Sequence, residues 1–154
     1  GYSGGKKADP TYKDVSWGKT EHLEAVQVFF APKKTSYERI VDRFFRLIDP
    51  PDGGGSFVDR GNHYRSAVFF DDEAQLKIAL AAMKAISDRK LFKAPVATEI
   101  RAFEAFYPAE NYHQDFYKKD PGRYYSYRKG SGRDAFIEAH WKGVEPLVAT
   151  SGGS

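Results

Sequence analysis

The sequence predicts an α+β protein: a two-layer α/β sandwich whose mixed sheet contains both parallel and antiparallel strands. Segments of strand character alternate with amphipathic segments of helical period, and no internal repeat interrupts this order. The order β-α-β-α-β over residues 21–103 is that of a ferredoxin-like core with extra loops. A chain of 154 residues can bury a proper core. We therefore predict one domain over residues 1–143 and a tail over residues 144–154.

The first predicted strand covers residues 21–30 and has the period-2 alternation of an extended chain. His22 and Glu24 share one face, and both faces become apolar toward Phe30. This pattern predicts a strand that is polar at its beginning and buried at its end. Because acidic residues are disfavoured in strands, Glu24 requires a specific explanation.

Two helices are predicted from capping residues and apolar stripes. Residues 35–38 have the spacing of a capping box, and the helix that they open ends at Asp49-Pro50-Pro51. Asp72 and Gln75 cap a second helix that runs to about residue 90. The stripes are Ile40, Val41, Phe44, Phe45 and Ile48 in the first helix and Leu76, Leu80, Met83 and Ile86 in the second.

The other segments are assigned from local composition and turn residues. Strands are predicted over residues 64–70 and 96–103, and Pro108 is placed near the first position of a third helix. A last short helix is predicted from Ser131 to Trp141. Residues 1–20 and residues 118–133 are predicted to be loops, of which the second is basic and rich in tyrosine.

Composition limits the classes of function. The net charge of +3 is mildly basic and far from that of a dedicated nucleic-acid binder. No apolar run approaches the ~18 residues of a membrane span, and no signal peptide is visible, so a cytoplasmic protein is expected. The absence of cysteine excludes a disulfide, a zinc-thiolate site and a thiol nucleophile within these residues.

Four polar side chains are candidates for a site at the ends of apolar strands. Asp59 and Tyr64 belong to a ten-residue segment, residues 57–66, that combines an acid, guanidinium groups, an imidazole and a phenol. Glu24 lies on the first strand, and Tyr12 joins them if the N-terminal arm folds back. Burial raises the pKa of a carboxyl group. A protonated Glu beside two phenols can donate hydrogen bonds to a small, strongly accepting oxygen.

Other interpretations of these residues compete with this one. From residue types alone, a structural ion pair of Glu24 with Arg60 or Arg65 is favoured. A metal site is not expected, because His22, Glu24 and His63 lack the spacing of a specific ligand set. No glycine-rich loop has the context of a phosphate cradle.

Residues 118–133 allow an interpretation of their own. They alternate phenols with cations as single-stranded nucleic-acid binders do. A solvated loop whose tyrosines pack on the body of the protein is the favoured alternative.

Several motifs, in order along most of the chain, resemble the A-type peptide methionine sulfoxide reductases. Short motifs of this kind are weak when isolated, but this ordered set is specific to the family. The matching pieces are Gly-Tyr-Ser-Gly-Gly at 1–5, Pro-Thr-Tyr at 10–12, Val-Ser-Trp-Gly-Lys-Thr-Glu-His-Leu-Glu-Ala-Val at 15–26, Asp-Arg-Gly-Asn-His-Tyr-Arg-Ser at 59–66, Thr-Glu-Ile at 98–100, Phe-Tyr-Pro-Ala-Glu-Asn-Tyr-His-Gln at 106–114 and Ser-Gly-Arg-Asp-Ala-Phe-Ile at 131–137.

The resemblance implies a role for each candidate residue. Enzymes of this family reduce the S epimer of methionine sulfoxide, free or in proteins, by attack of a cysteine thiolate on the sulfoxide sulfur. Glu24 matches the acid that protonates the sulfoxide oxygen, and Tyr12 and Tyr64 match the tyrosines that hydrogen-bond it. Asp59 matches an aspartate that anchors water or substrate backbone, and His63, which replaces the usual Gln, is grouped with it for substrate binding. Thioredoxin then regenerates the thiol with resolving cysteines, and no cofactor is implied.

The chain departs from the family pattern at the nucleophile. The Gly-Cys-Phe-Trp stretch of the family, which would precede residue 1, is absent, and with it a core strand and the following helix. A neutral serine hydroxyl does not replace a thiolate, so we expect this chain to be inactive alone. A non-catalytic module that binds methyl sulfoxides or oxidised-Met peptides is the second interpretation, and a basic nucleic-acid interaction protein is the third. Residues 144–148, a partner segment or a second copy could cover the exposed sheet edges.

Overall fold

The computed structural model describes residues 1–150 and confirms the α+β class. The helices are α1 (Tyr12–Ser16), α2 (Tyr37–Leu47), α3 (Glu73–Asp88), α4 (Phe116–Lys119), α5 (Pro121–Gly130) and α6 (Arg133–Trp141). The strands are β1 (Tyr2–Ser3), β2 (Leu23–Glu24), β3 (Gly55–Ser56), β4 (Asp59–Arg60), β5 (Ala67–Phe70), β6 (Glu99–Ala102) and β7 (Phe106–Tyr107), and a 3₁₀ helix covers Asn62–Tyr64. None of the helices in this part of the chain is long and apolar enough to cross a membrane.

The strands of residues 1–150 form three small sheets. The antiparallel sheet has the order β2-β1-β7 and pairs Tyr2 with both Glu24 and Tyr107. β3 and β4 form an antiparallel hairpin, and β5 and β6 form a parallel pair in which Val68 faces Ile100. Parallel and antiparallel pairing are both present, as predicted, but they occur in separate sheets.

The main core lies where the two long predicted helices pack on the β5–β6 pair. The second of these helices begins at its predicted cap, where the Asp72 carboxylate accepts from the Gln75 N–H at 2.8 Å. The first begins one residue later than the capping box over residues 35–38 predicts, because the Ser36 hydroxyl accepts from the Arg39 N–H. The predicted stripes are confirmed at Val41, Phe45 and Ile86, which are buried, but Leu80 is exposed and the buried face of α3 also contains Ala79 and Ala82. The buried members of this core are Val41, Phe45, Val68, Ala79, Ala82, Ile86, Trp141 and Leu147.

The strand predicted over residues 21–30 is wrong in length and in burial. Only Leu23 and Glu24 are strand, and Leu23 at the beginning is buried. The far end is exposed, with Val26 85% and Phe29 87% accessible. Gly1 and Ala25 form two backbone hydrogen bonds with each other, and strand pairing ends there. No neighbouring strand within residues 1–150 pairs with residues 26–30. An alternating apolar pattern fits a buried strand, but a strand also needs a neighbour.

The third helix predicted at Pro108 is also wrong. Phe106 and Tyr107 form strand β7 on β1, and residues 108–115 contain no helix before α4 begins at Phe116. The basic loop predicted over residues 118–133 is mostly helix: Asp120 caps α5, and Pro121 occupies its first turn. The strand predicted from residue 64 starts only at Ala67, after the 3₁₀ helix.

Both chain ends contain structure that the sequence did not indicate. Residues 1–20, predicted to be a loop, contain β1 and α1, and α1 begins with a capping box between Thr11 and Asp14. In the tail, Leu147 is buried and its N–H donates to Asp42 on α2 at 2.9 Å. The beginning of the tail therefore packs on the helices and adds no strand to a sheet, while the part of the tail beyond residue 150 lies outside the described residues.

Candidate functional site

A cavity of about 600 Å³ brings the four candidate side chains together. Tyr12, Glu24, Asp59 and Tyr64 all line it, although they come from four separate elements of the chain. The other side of the cavity is mostly apolar and is formed by residues 25–28 with Phe30, by residues of α2 and by strand β5. An acid and phenols therefore face a space with apolar walls, which suits a small ligand with one polar atom.

Three local devices place these side chains. Glu24 ends β2, where pairing with Tyr2 of β1 fixes the backbone. Tyr12 is the first residue of α1, directly after the Thr11 cap, and its ring lies 4.9 Å from the His113 ring. Tyr64 ends the 3₁₀ helix that follows Gly61, whose φ of 134° is open only to glycine without strain.

The pKa of Glu24 is raised above its ordinary value. Burial of the carboxyl is the main cause and the nearby Asp59 carboxylate adds to it, while the terminal ammonium of Gly1 opposes it. The residue as a whole is exposed to solvent, yet the surrounding protein desolvates the carboxyl and shifts its pKa upward. A neutral carboxyl can donate a hydrogen bond into the cavity.

Tyr64 is held in its protonated form. Burial raises the pKa of this phenol to about 12, and the Glu24 and Asp59 carboxylates and the Tyr12 hydroxyl contribute in the same direction. The hydroxyl therefore remains a hydrogen-bond donor across the physiological pH range.

Asp59 is bound by a residue that the sequence did not single out. The Tyr127 hydroxyl on α5 donates a short hydrogen bond to the Asp59 carboxylate, and burial followed by this bond raises the pKa of Tyr127 to about 12. The tyrosines of residues 118–133 were predicted to lie in a loop. Recognition of the helix cap at Asp120 would have been the signal that Tyr127 belongs to an ordered element.

The structural ion pair favoured for Glu24 is wrong. Arg60 pairs with Asp52, and Arg65 pairs with Glu99 at 3.4 Å. Both guanidinium groups therefore have other acidic partners, and neither pairs with Glu24 within residues 1–150. The carboxyl of Glu24 is left facing the cavity.

His63 lies beside the site and does not line its cavity. Its ring packs 4.0 Å from the Tyr64 ring, and burial lowers its pKa against the attraction of Asp59. It faces a second, polar cavity of about 320 Å³ that it shares with His22 and Arg65.

The remaining histidine of this region is structural. His22 is buried, accepts from the Gly5 N–H through Nδ1 at 3.0 Å, and has Nε2 2.7 Å from the Lys7 carbonyl oxygen. No group of residues that could hold a metal ion occurs within residues 1–150.

Comparison with known proteins gives consistent matches. A family model described as peptide methionine sulfoxide reductase matches residues 1–145. The peptide methionine sulfoxide reductase MsrA 2 of Staphylococcus aureus is 50% identical over 141 residues, which are 92% of this chain and 80% of the relative. The crystal structure of reduced Mxr1 from Saccharomyces cerevisiae is similar with a TM-score of 0.73 and 31% identity, over 79% of this chain and 70% of that one. The structure of methionine sulfoxide reductase A of Corynebacterium diphtheriae is similar with a TM-score of 0.68 and 27% identity, over 79% of this chain and 62% of that one.

The fold and the cavity define a protein in which an acid and phenols face a space with apolar walls. This chain belongs to the peptide methionine sulfoxide reductase family, in its A type, and the resemblance found in the sequence motifs is confirmed. Methionine sulfoxide is accordingly the substrate that the family supports.

Proposed function

We propose that this chain forms the sulfoxide-binding part of a peptide-methionine (S)-S-oxide reductase site, and that a thiol outside its 154 residues performs the attack. The observation that carries the proposal is the meeting of Glu24, Tyr12 and Tyr64 on one cavity in a chain without cysteine. A sulfoxide oxygen is a strong acceptor, and a neutral carboxyl with two phenols offers it three O–H donors.

Each residue has a defined part in this proposal. Glu24, whose raised pKa favours the acid form, gives its proton to the sulfoxide oxygen, and Tyr12 and Tyr64 orient that oxygen by hydrogen bonds. Asp59 anchors the substrate backbone or a water at the rim. His63 supports this role by packing on Tyr64, and direct contact with substrate would require it to turn from the second cavity.

The chemistry balances with a thiol as co-reactant. The thiolate sulfur forms a bond to the sulfoxide sulfur while Glu24 protonates the sulfoxide oxygen. The hydroxyl is then transferred to the thiol sulfur as the sulfur–oxygen and the new sulfur–sulfur bonds break. Thiolate, proton and sulfoxide thus become a sulfenic acid R–SOH and the thioether of methionine. A thioredoxin-type dithiol returns the sulfenic acid to the thiol, so no other cofactor is required. A compartment that keeps thiols reduced, such as the cytoplasm, suits this cycle.

The apolar side of the cavity suits the rest of the substrate side chain. Val41 and Phe44 of α2 and Val68 of β5 line it, and the methyl and methylene groups that flank the sulfoxide are apolar. Burying these groups contributes about 0.8 kcal/mol for each carbon.

The first prediction concerns activity. The purified chain is expected not to reduce methionine (S)-sulfoxide with dithiothreitol as electron donor, because it contains no thiol nucleophile. Product methionine is measured against a blank without protein, with a thiol-containing member of the family as the positive control. Time-dependent formation of methionine above the blank would show that the attack does not need an added protein thiol.

Binding without reduction is the second candidate function, and the absence of cysteine favours it over a site of some other chemistry. The intact mass of the natural protein, compared with the reading frame upstream of residue 1, separates a non-catalytic binding module from a reductase whose thiol is encoded elsewhere. Nucleic-acid binding through residues 118–133 has less support, because Lys118 and Arg128 already pair with Asp115 and Asp134.

A further inference from the structure

Arg133 is a cation of the substrate cavity to which the proposed reaction assigns no role. It is the first residue of α6 and lines the same cavity as Glu24, Asp59 and Tyr64. The side chain is half-buried, so part of its hydration is lost. A partly desolvated charge is stabilised when a partner of opposite sign replaces the lost water.

The position of this guanidinium is fixed by the β3–β4 hairpin. It lies 4.9 Å from the centroid of the Phe57 ring, and Nη2 donates to the Ser56 hydroxyl at 3.3 Å. Phe57 itself has a φ of 53°, an unfavourable value for a bulky residue, and its ring packs at 5.4 Å on Phe136 of α6. The hairpin and the helix thus hold Arg133 from two sides, which pre-organises its free N–H groups.

The partner that Arg133 lacks is an anion. Arg46, Arg60, Arg65 and Arg128 each pair with a carboxylate, while Arg133 forms no ion pair within residues 1–150. The Ser56 hydroxyl accepts a hydrogen bond from one of the five N–H groups of the Arg133 guanidinium. The other N–H groups can still form the paired hydrogen bonds by which a guanidinium binds a carboxylate. Asp59, which lines the same cavity, is the complementary group for a cation.

We propose that Arg133 binds the α-carboxylate of methionine sulfoxide, with Asp59 facing the α-amino group, so that the cavity favours the free amino acid or a C-terminal residue. This inference deepens the proposed function and rests on it: the sulfoxide end occupies Glu24, Tyr12 and Tyr64, and the amino-acid end occupies Asp59 and Arg133. The competing explanation is that Arg133 only packs on Phe57. Packing alone gives no preference between a carboxylate and its neutral amide.

The experiment compares three probes by calorimetry: dimethyl sulfoxide, L-methionine (S)-sulfoxide and the amide of that amino acid. The wild-type chain is expected to bind the acid about tenfold or more tightly than the amide, because a hydrogen bond to a charged group contributes about 1.5–3 kcal/mol. Arg133→Met keeps an unbranched apolar stem on Phe57 and removes the charge. This variant is expected to bind acid and amide with similar affinity and to retain dimethyl sulfoxide binding.

A matched control removes a cation elsewhere. Arg123 packs on Phe116 and does not line the cavity, so Arg123→Met is expected to keep the preference for the acid. Equal affinities of the wild-type chain for acid and amide would overturn the inference without any variant, and so would an unchanged preference in a folded Arg133→Met protein. If the wild-type chain prefers the acid to the amide, loses this preference in Arg133→Met and does not bind dimethyl sulfoxide, then Arg133 binds the carboxylate but the proposed sulfoxide site is wrong. Binding of none of the probes would overturn both.

Discussion

Binding of dimethyl sulfoxide is expected to weaken about thirtyfold when Glu24→Ala and Tyr64→Phe are combined. Both side chains line the cavity, and each substitution removes one O–H donor while the apolar walls remain. Each net hydrogen bond contributes about 1 kcal/mol, and 1.4 kcal/mol corresponds to a factor of ten in affinity. Chemical-shift titration of the chain with dimethyl sulfoxide measures this loss.

A matched double variant controls for the loss of a carboxyl and a hydroxyl elsewhere. Glu104 and Tyr125 are exposed and do not line the cavity, so Glu104→Ala with Tyr125→Phe is expected to leave the affinity unchanged. If the Glu24 and Tyr64 double variant binds as tightly as the wild type, these residues do not hold the sulfoxide oxygen.

The same titration is expected to depend on pH through Glu24. The raised pKa means that the donor form persists above the ordinary range of a carboxyl and is lost as the pH rises through the folded-state pKa, so binding weakens there. Glu24→Gln keeps an N–H donor at every pH and is expected to give a flat binding profile. A wild-type profile as flat as that of Glu24→Gln would exclude Glu24 as the titrating donor.

The raised pKa of Glu24 also makes folding stability depend on pH. The contribution of the neutral carboxyl to stability is complete below the unfolded-state pKa of Glu24 and is lost as the pH rises through its folded-state pKa.

Phe45→Ala is expected to lower the free energy of unfolding by about 3–5 kcal/mol, because it removes an aromatic ring from the middle of the core and leaves a cavity. The residue is 0% exposed, and its ring lies edge-on at 5.4 Å from the Phe44 ring, which lines the site. Urea unfolding followed by circular dichroism measures the change as a lower midpoint at unchanged slope.

Phe29→Ala is the control for this core substitution. Phe29 is 87% exposed, so the same chemical change is expected to alter the free energy of unfolding by less than about 0.5 kcal/mol. Similar losses for the two variants would contradict the assignment of Phe45 to the core and of Phe29 to the surface. Because α2 lines the cavity, loss of Phe45 is also expected to loosen the site.

The two long helices, α2 and α3, were predicted well because their signals are local. The Ser36 and Asp72 caps act on N–H groups three residues ahead, and an apolar stripe repeats every three or four positions. The strands were predicted less well, since β1 pairs with segments that lie far away in sequence and the period of a strand does not identify its neighbour. The 21–30 pattern therefore gave a strand that the structure reduces to Leu23–Glu24.

Taken alone, the sequence determined the class of fold, the main helices, the family and the candidate residues that line one cavity, because these depend on short-range patterns and ordered motifs. Only the tertiary structure decided that Glu24 faces the cavity instead of an arginine, that Tyr127 binds Asp59 across 68 positions, and that Arg133 lines the cavity without an acidic partner in residues 1–150. The physical reason is that charge pairing and desolvation depend on distances in space, which chain separation does not set.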